Sequence, residues 1–208
     1  MIYNKDNLFI HIPKTGGTSF RHLVNEKLDL EKNPLEKAPY KHYTLQQAYD
    51  NRYQLGINFN ELKNVIVFVR NPYAKMLSLY SFYKQIYIDK GLRKNNPNIF
   101  KLMHLDFNQW LVEIEKQPVY YAWFSYERYI LLNGVKPDNL VLLRHEKYRT
   151  EVEKAMRLFK VKKDEGAKLP TIFKTTHKHF TKVYNRTGYD VVNGLFKWVF
   201  DQEMYNKK

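Results

Sequence analysis

The residues best suited to chemistry lie near the amino terminus, in the segment 13–21, which reads Pro-Lys-Thr-Gly-Gly-Thr-Ser-Phe-Arg. Lys14 supplies a full positive charge, and Gly16 and Gly17 allow backbone conformations that a side chain would forbid. Three hydroxyl groups in the same segment can donate hydrogen bonds, those of Thr15, Thr18 and Ser19. Positive charge, backbone freedom and several donors in one loop are typical of a site for an anion such as phosphate.

The flanking residues predict how this loop is held. Residues 8–12 form an apolar run, which indicates a short buried strand that ends at Pro13, because proline cannot continue a strand ladder. Residues 20–28 repeat apolar side chains at helical spacing, and Thr18 and Ser19 are good candidates for the residue that caps the helix. The strand–loop–helix order aims backbone N–H groups and the positive end of the helix dipole at the loop.

A second set of chemistry-bearing residues follows the apolar run at 65–69. That run, Val-Ile-Val-Phe-Val, is typical of a fully buried strand in a parallel sheet. Arg70 stands at its end, Pro72 suits a first helical position, and Ser78 falls on a helix predicted to continue to residue 87. A planar guanidinium matches phosphate oxygens, and a helix-borne hydroxyl adds a donor. The alternative for Arg70 is an ordinary ion pair with a surface carboxylate.

The remaining patterns predict an α/β fold. Residues 140–143 form a third apolar run and are predicted to be a third buried strand, and Thr150 with Glu153 fits a capping box for the helix after it. Further helices are predicted at 45–49, 107–114, 152–159 and 191–199. Strands that alternate with helices indicate a sheet with helices on both faces, where ligands bind beyond the carboxyl ends of the strands. The first loop and Arg70 both belong to that edge.

Length and composition limit the class of protein. The chain has 208 residues, 44% of them hydrophobic, with no evident repeat or linker, so a single domain over residues 1–208 is expected. The formal net charge of +14 calls for an anionic partner, whether nucleic acid, a phosphorylated cofactor or an acidic glycan. The absence of cysteine excludes a disulfide framework and cysteine-based metal sites. Neither a leader-like segment nor an apolar run of membrane-spanning length is evident, which predicts a soluble, cytoplasmic protein.

The order Pro-Lys-Thr-Gly-Gly-Thr-Ser after a strand resembles the phosphosulfate-binding loop of the sulfotransferases. More narrowly, it resembles the carbohydrate sulfotransferases related to heparan and chondroitin enzymes, the sulfotransferase family 2 type. A strand that ends in Arg-Asn-Pro, with a serine eight residues after the arginine, resembles the same family's grip on a 3′-phosphate. The resemblance implies a P-loop-like three-layer sandwich with a central, mostly parallel sheet flanked by helices. Animal members usually carry an amino-terminal membrane anchor, so its absence here indicates a microbial or viral protein.

The resemblance also implies a reaction and assigns residues to it. A sulfuryl group would move from 3′-phosphoadenosine 5′-phosphosulfate (PAPS) to a hydroxyl, on a carbohydrate, by in-line displacement that requires no metal. The loop residues would hold the phosphosulfate, namely Lys14, Thr15, Gly16, Gly17, Thr18 and Ser19. Lys14 would also stabilise charge on the leaving oxygen. Arg70 and Ser78 would bind the 3′-phosphate, while Lys75 stands where the family often has an arginine and keeps only the charge.

An acceptor hydroxyl loses its proton as it attacks sulfur, so a base is required. His42 is the first candidate, because the family places a catalytic histidine between its two cofactor motifs. His11 is the rival, but its place inside a strand favours a buried core histidine. Weaker candidates are the histidines at 22, 104 and 145, and the glutamates Glu127 and Glu146 stay open as alternatives.

Two further elements are assigned only by the resemblance. Residues 144–148 match an architectural strand-end element, and 175–182 match a loop that closes over the nucleotide. Acceptor specificity is expected from loops around 31–41, 91–106 and 170–182.

The rival functions are a P-loop nucleotide kinase and a basic nucleic-acid-binding protein. The kinase is disfavoured because the loop lacks the Gly-Lys-Ser/Thr order, and the nucleic-acid binder because no helix-turn-helix, zinc-finger or RNP pattern is present.

Overall fold

The computed structural model describes residues 1–28, 42–86, 102–117, 124–161 and 179–208. Of the loops expected to set acceptor specificity, all of 31–41 and most of 91–106 and of 170–182 lie outside these residues, and so does half of the segment 175–182. The chain divides into two compact units, each made of two stretches of sequence. Unit 1 comprises Met1–Arg70 and Tyr126–Ile172, and unit 2 comprises Asn71–Ser125 and Phe173–Lys208. The expectation of a single domain stays a prediction.

Unit 1 is built on a four-stranded sheet in the order β1 (Ile2–Asn4), β2 (Asn7–Ile10), β3 (Asn64–Val69) and β4 (Leu140–Arg144). Strands β1 and β2 are antiparallel, whereas β2–β3 and β3–β4 are parallel. The α/β class and the mostly parallel sheet predicted from the apolar runs are therefore confirmed. The finer prediction of a P-loop-like three-layer sandwich stays a prediction.

The strand predicted at 140–143 exists, but its burial was predicted wrongly. Leu140, Val141 and Leu142 are only half-buried, and Leu143 alone is fully buried. Within the described residues β4 pairs only with β3 and so lies at an edge of the sheet. A short apolar run has the same appearance in a central strand and in an edge strand, so the sequence pattern could not separate the two.

Helices fill the connections, and several match their predicted positions. In chain order those longer than a single 3₁₀ turn are α1 (Gly17–Leu28), α2 (Leu45–Asp50), α3 (Arg52–Leu55), α4 (Pro72–Lys84), α5 (Phe107–Glu115), α6 (Tyr126–Ile130), α7 (Tyr148–Leu158), α8 (Arg186–Leu195) and α9 (Lys197–Asp201). The helix predicted at 191–199 is two helices, α8 and α9, separated at Phe196. The capping box predicted at Thr150 and Glu153 is wrong, because α7 already begins at Tyr148, directly after a 3₁₀ turn at His145–Lys147.

Three phenylalanines join α1 to the sheet in unit 1. Phe9 of β2, Phe20 of α1 and Phe68 of β3 pack edge to face, with ring centroids 5.0–5.7 Å apart. All three side chains are fully buried. Edge-to-face aromatic pairs add specificity to the burial of apolar area. The start of α1 is thereby fixed against the ends of β2 and β3, and the loop before it is fixed too.

Unit 2 is helical in its described residues. Its interior is aromatic, with Tyr73 stacked or tilted against Phe180 and Phe200 and edge-on to Tyr184. Lys75 is fully buried there, and its ammonium donates to the Phe124 carbonyl at 2.5 Å. Lys75, which stands where the resembled family often has an arginine, is therefore hydrogen-bonded within the core of unit 2. Across the described part of the chain, no helix combines the length and the apolar character needed to cross a bilayer.

The start of α4 explains two residues of the Arg-Asn-Pro motif. The Asn71 side chain accepts hydrogen bonds from the N–H groups of Tyr73 at 3.1 Å and Ala74 at 3.3 Å. Pro72 follows at a position where a helix needs no N–H donor. The Asn-Pro pair is therefore a helix-start signal, whatever Arg70 contributes besides.

Replacing the Asn71 cap is expected to weaken the fold measurably. Asn71→Ala should lower the free energy of unfolding by about 1 kcal/mol, because two backbone donors lose their acceptor. Asn71→Asp is the matched control and should remain close to the wild type, since a carboxylate also accepts these bonds and suits the positive helix end. Urea unfolding of the three proteins measures the difference, and an unchanged midpoint in Asn71→Ala would contradict it.

Candidate functional site

The loop between β2 and α1 is held in an uncommon backbone conformation. Lys14 has a φ of 65°, in the left-handed region that non-glycine residues rarely adopt. Such a residue costs about 1–2 kcal/mol and persists only where its surroundings impose it. Thr15 is fully buried, and its hydroxyl donates to the Ile12 carbonyl at 2.9 Å. The Thr15 hydroxyl, predicted as a donor to an anion, instead uses its proton to hold the turn.

Gly17 lacks a side chain because His11 occupies the space. A Cβ atom at Gly17 would lie 2.3 Å from Cδ2 and 2.7 Å from Nε2 of the His11 ring. His11 itself is 2% exposed, as expected for a core histidine. The sequence predicted a glycine that frees the backbone here. The structure adds a close approach between the loop and a buried ring.

Gly16 is fixed by Tyr148. The Tyr148 hydroxyl donates to the Gly16 carbonyl at 2.9 Å, and the Phe20 N–H donates to the same oxygen at 3.2 Å. A Cβ atom at Gly16, whose φ is 97°, would lie 2.6 Å from the Tyr148 ring. Burial raises the pKa of Tyr148, while hydrogen bonds from Ser19 and from the Phe20 backbone oppose that rise. The phenol therefore stays protonated and can donate at neutral pH.

Helix α1 begins at Gly17, so the predicted capping role of Thr18 and Ser19 is wrong. Both residues lie in the first turn of the helix instead of preceding it. The first turn contains no acidic residue. The N–H groups of a first turn have no acceptor within their own helix. The positive end of α1 is consequently directed at the loop that carries Lys14.

The structure brings Lys14 and Arg70 together. Strands β2 and β3 run parallel, with Ile10 opposite Val67, so the residues after both strands lie at one edge of the sheet. Arg70 Nη1 donates to the Lys14 carbonyl oxygen at 3.4 Å. The backbone of Arg70 is held by Tyr126, whose hydroxyl accepts from the Arg70 N–H at 3.0 Å and donates to the Arg70 carbonyl oxygen at 2.6 Å.

The electrostatics of this edge favour an anion. Burial, and then the neighbouring Arg70 guanidinium, lower the pKa of Lys14 from 10.5 to about 8. Burial and Arg70 also lower the pKa of His145 from 6.5 to about 4, against the opposing effect of Glu146. Lys14 and Arg70 thus form a cationic cluster of two like charges that repel each other, whereas His145, with a pKa of about 4, is uncharged at neutral pH. A bound anion would relieve that repulsion.

His42 lies beside the buried His11. The two rings have centroids 4.5 Å apart, and His42 Nδ1 is 3.1 Å from the His11 carbonyl oxygen. A carbonyl can only accept, so Nδ1 carries the proton and Nε2 is the basic nitrogen of the neutral ring. The His11 ring lies directly beside Gly17 of the loop. His42 packs against that ring and is therefore close to the loop as well.

Other predicted residues are distributed differently. Ser78 lies on α4 in unit 2 and is 4% exposed, and its predicted pairing with Arg70 stays a prediction. His22 and His104 are exposed. Glu127 follows Tyr126 in the first turn of α6, and Glu146 is exposed beside His145. Sequence reasoning missed Tyr126 altogether and treated Tyr148 only as part of an architectural element, because neither belongs to a local motif of the loop.

Comparisons with known proteins add no assignment. No protein-family model matches the chain, and no curated protein matches it. Among the described residues, no group of three or more histidine, aspartate or glutamate side chains is arranged to hold a metal ion.

The cationic cluster predicts a titration that depends on Arg70. In Arg70→Met the pKa of Lys14 should rise from about 8 towards its ordinary value, because one like charge is removed while burial remains. Carbon-13 NMR titration of the Lys14 side chain measures the shift. The exposed Arg157, replaced by methionine, is the control and should leave Lys14 unchanged. An unaltered Lys14 pKa in Arg70→Met would show that burial alone sets it.

Proposed function

We propose that the chain is a sulfotransferase, which moves a sulfuryl group from PAPS to a hydroxyl group, in the carbohydrate class of acceptors. One observation carries the proposal. The left-handed Lys14 lies in the loop before α1, and Arg70, from the end of the neighbouring parallel strand, donates to its carbonyl. Two cations therefore meet beside a helix N-terminus, at the sheet edge where α/β folds bind ligands. The motif resemblance supplies the identity of the ligand.

Several groups suit a nucleotide that carries phosphate-type groups at two positions. The phosphosulfate would be held by the ammonium of Lys14, by the backbone of Gly16–Gly17 and by the first turn of α1, which includes Thr18 and Ser19. Arg70 presents a planar guanidinium, one of whose N–H groups donates to the Lys14 carbonyl, and suits the 3′-phosphate. With a pKa of about 8, Lys14 is mostly charged at neutral pH, and a bound anion would raise that pKa.

The chemistry assigned to the protein residues is brief. When bound, PAPS supplies a sulfuryl group that passes to the attacking hydroxyl oxygen as the bond from sulfur to the bridging oxygen breaks. Lys14 stabilises the negative charge that develops on that bridging oxygen. His42 takes the hydroxyl proton at Nε2, since Nδ1–H donates to the His11 carbonyl. Adenosine 3′,5′-bisphosphate leaves with the bonding electron pair.

The proposal predicts a ligand preference that its rivals do not share. Adenosine 3′,5′-bisphosphate should raise the melting temperature more than 5′-AMP or ATP does, because only it carries a phosphate for Arg70. A ligand that binds only the folded state adds about 2.7 kcal/mol at a hundredfold excess over its dissociation constant. Arg70→Met should remove most of the preference, since a hydrogen bond to a charged group contributes about 1.5–3 kcal/mol. Thermal unfolding with each nucleotide measures it.

The rival functions give distinct outcomes in the same experiment. A nucleotide kinase would be stabilised best by ATP with magnesium, and that result would overturn the proposal. A nucleic-acid-binding protein would show no rise in melting temperature with any of the three nucleotides, and would instead bind DNA or RNA with a steep dependence on salt. Arg157→Met, a surface arginine of α7, serves as the control for loss of charge alone.

The base assignment is tested by removing one histidine. His42→Ala should lower the sulfation rate by roughly 10²–10⁴-fold, the usual contribution of a general base, while stabilisation by the bisphosphate persists. His22→Ala is the matched control, since His22 is exposed on α1. Transfer of radiolabelled sulfate from PAPS to a panel of oligosaccharides measures the rate. Full activity in His42→Ala would pass the role to Glu127 or Glu146.

A further inference from the structure

We propose that Tyr126 and Tyr148 are positioning residues, each of which fixes one of the two anion-binding elements through its backbone. Tyr148 fixes the loop at Gly16, and Tyr126 fixes the peptide of Arg70. This inference rests on the proposed function, because it assigns the two tyrosines to different phosphate groups of the same nucleotide.

Tyr148 determines where the Gly16 carbonyl points. Its hydroxyl donates to Gly16 O at 2.9 Å, and its ring occupies the space that a side chain at Gly16 would need. The ring is in turn packed against Phe68 of β3, with centroids 5.6 Å apart, and against His145 at 5.4 Å. A carbonyl directed at Tyr148 turns its peptide N–H, that of Gly17, to the opposite side. Tyr148 therefore orients the loop that would contact the phosphosulfate.

Tyr126 fixes Arg70 in the same manner but more completely. Its hydroxyl accepts from Arg70 N at 3.0 Å and donates to Arg70 O at 2.6 Å, so both polar groups of that residue's backbone are bound. The Tyr126 side chain is fully buried, and burial raises its pKa. The phenol is consequently neutral and can serve as donor and acceptor at once. With its Cα fixed, the guanidinium of Arg70 has fewer positions to sample before a ligand arrives.

The two tyrosines act on different parts of the ligand. Loss of the Tyr126 hydroxyl should affect only the phosphate that Arg70 binds. Loss of the Tyr148 hydroxyl should affect the phosphate at the loop, which every adenosine 5′-phosphate carries. A tyrosine with a purely structural role would instead change the stability of the free protein and the affinity for both nucleotides alike. The pattern of affinities therefore separates positioning from general support at Tyr126. At Tyr148 the two roles are separated by adenosine 3′-phosphate, which has no 5′-phosphate for the loop and should bind Tyr148→Phe as tightly as it binds the wild type.

Isothermal titration of the full chain with adenosine 3′,5′-bisphosphate and with 5′-AMP tests this assignment. Tyr126→Phe should weaken bisphosphate binding about two- to tenfold, the range of one ordinary hydrogen bond, and leave AMP binding unchanged. Tyr148→Phe should weaken both ligands by a similar factor, so that their ratio persists. Tyr129→Phe, a buried tyrosine of α6 that takes part in neither contact, should change neither affinity.

A double variant makes the test of Tyr126 stricter. In the Arg70→Met background the guanidinium is already gone, so adding Tyr126→Phe should not weaken bisphosphate binding further. An equal further loss in that background would overturn the assignment of Tyr126. Unchanged affinities in both single variants would overturn the whole inference while the wild-type preference for the bisphosphate keeps the proposed function standing. If the wild type shows no such preference, the proposed function fails first. Should Tyr126→Phe not fold, Tyr148→Phe still tests its own half.

Discussion

The parallel pairing of β2 with β3 is the constraint on which the candidate site depends. With Asn7 opposite Asn64 and Ile10 opposite Val67, both strands run out at the same edge of the sheet. A shift of that register by one residue would move every side chain of a strand to the opposite face of the sheet. The aromatic contacts of Phe9, Phe20 and Phe68 make such a shift costly. The observed register in turn places Lys14 and Arg70 at the same edge, where Arg70 donates to the Lys14 carbonyl.

The elements predicted best were those whose signal is local and strong. The run at 65–69 became β3, buried along nearly its whole length, and α4 begins at Pro72 as its residue types indicate. The antiparallel β1 was missed because three residues provide too short a pattern. The start of α7 and the exposure of β4 were predicted wrongly because the preceding 3₁₀ turn and the position in the sheet are settled by tertiary contacts.

The candidate site shows the same division between local and long-range information. Residue types and spacing identified Lys14, the glycine pair and Arg70, because a loop that holds an anion needs charge and freedom close together in sequence. The same types could not reveal that Gly17 makes room for His11, nor that tyrosines at 126 and 148 bind the backbone at 70 and 16. Those contacts join residues far apart in the chain, and no periodicity records them.

The hydrogen bonds between Tyr126 and Arg70 also bear on how the chain folds as it is synthesised. The chain leaves unit 1 after Arg70 and re-enters it at Tyr126, so these two bonds close the loop formed by residues 71–125 at its base. During synthesis β2 and β3 would therefore leave the ribosome long before β4, which pairs with β3, has been made. Closing so long a loop carries an entropic cost that is offset only by contacts formed later, which favours slow folding. Until β4 pairs with β3, the apolar edge of β3 is exposed to other nascent chains.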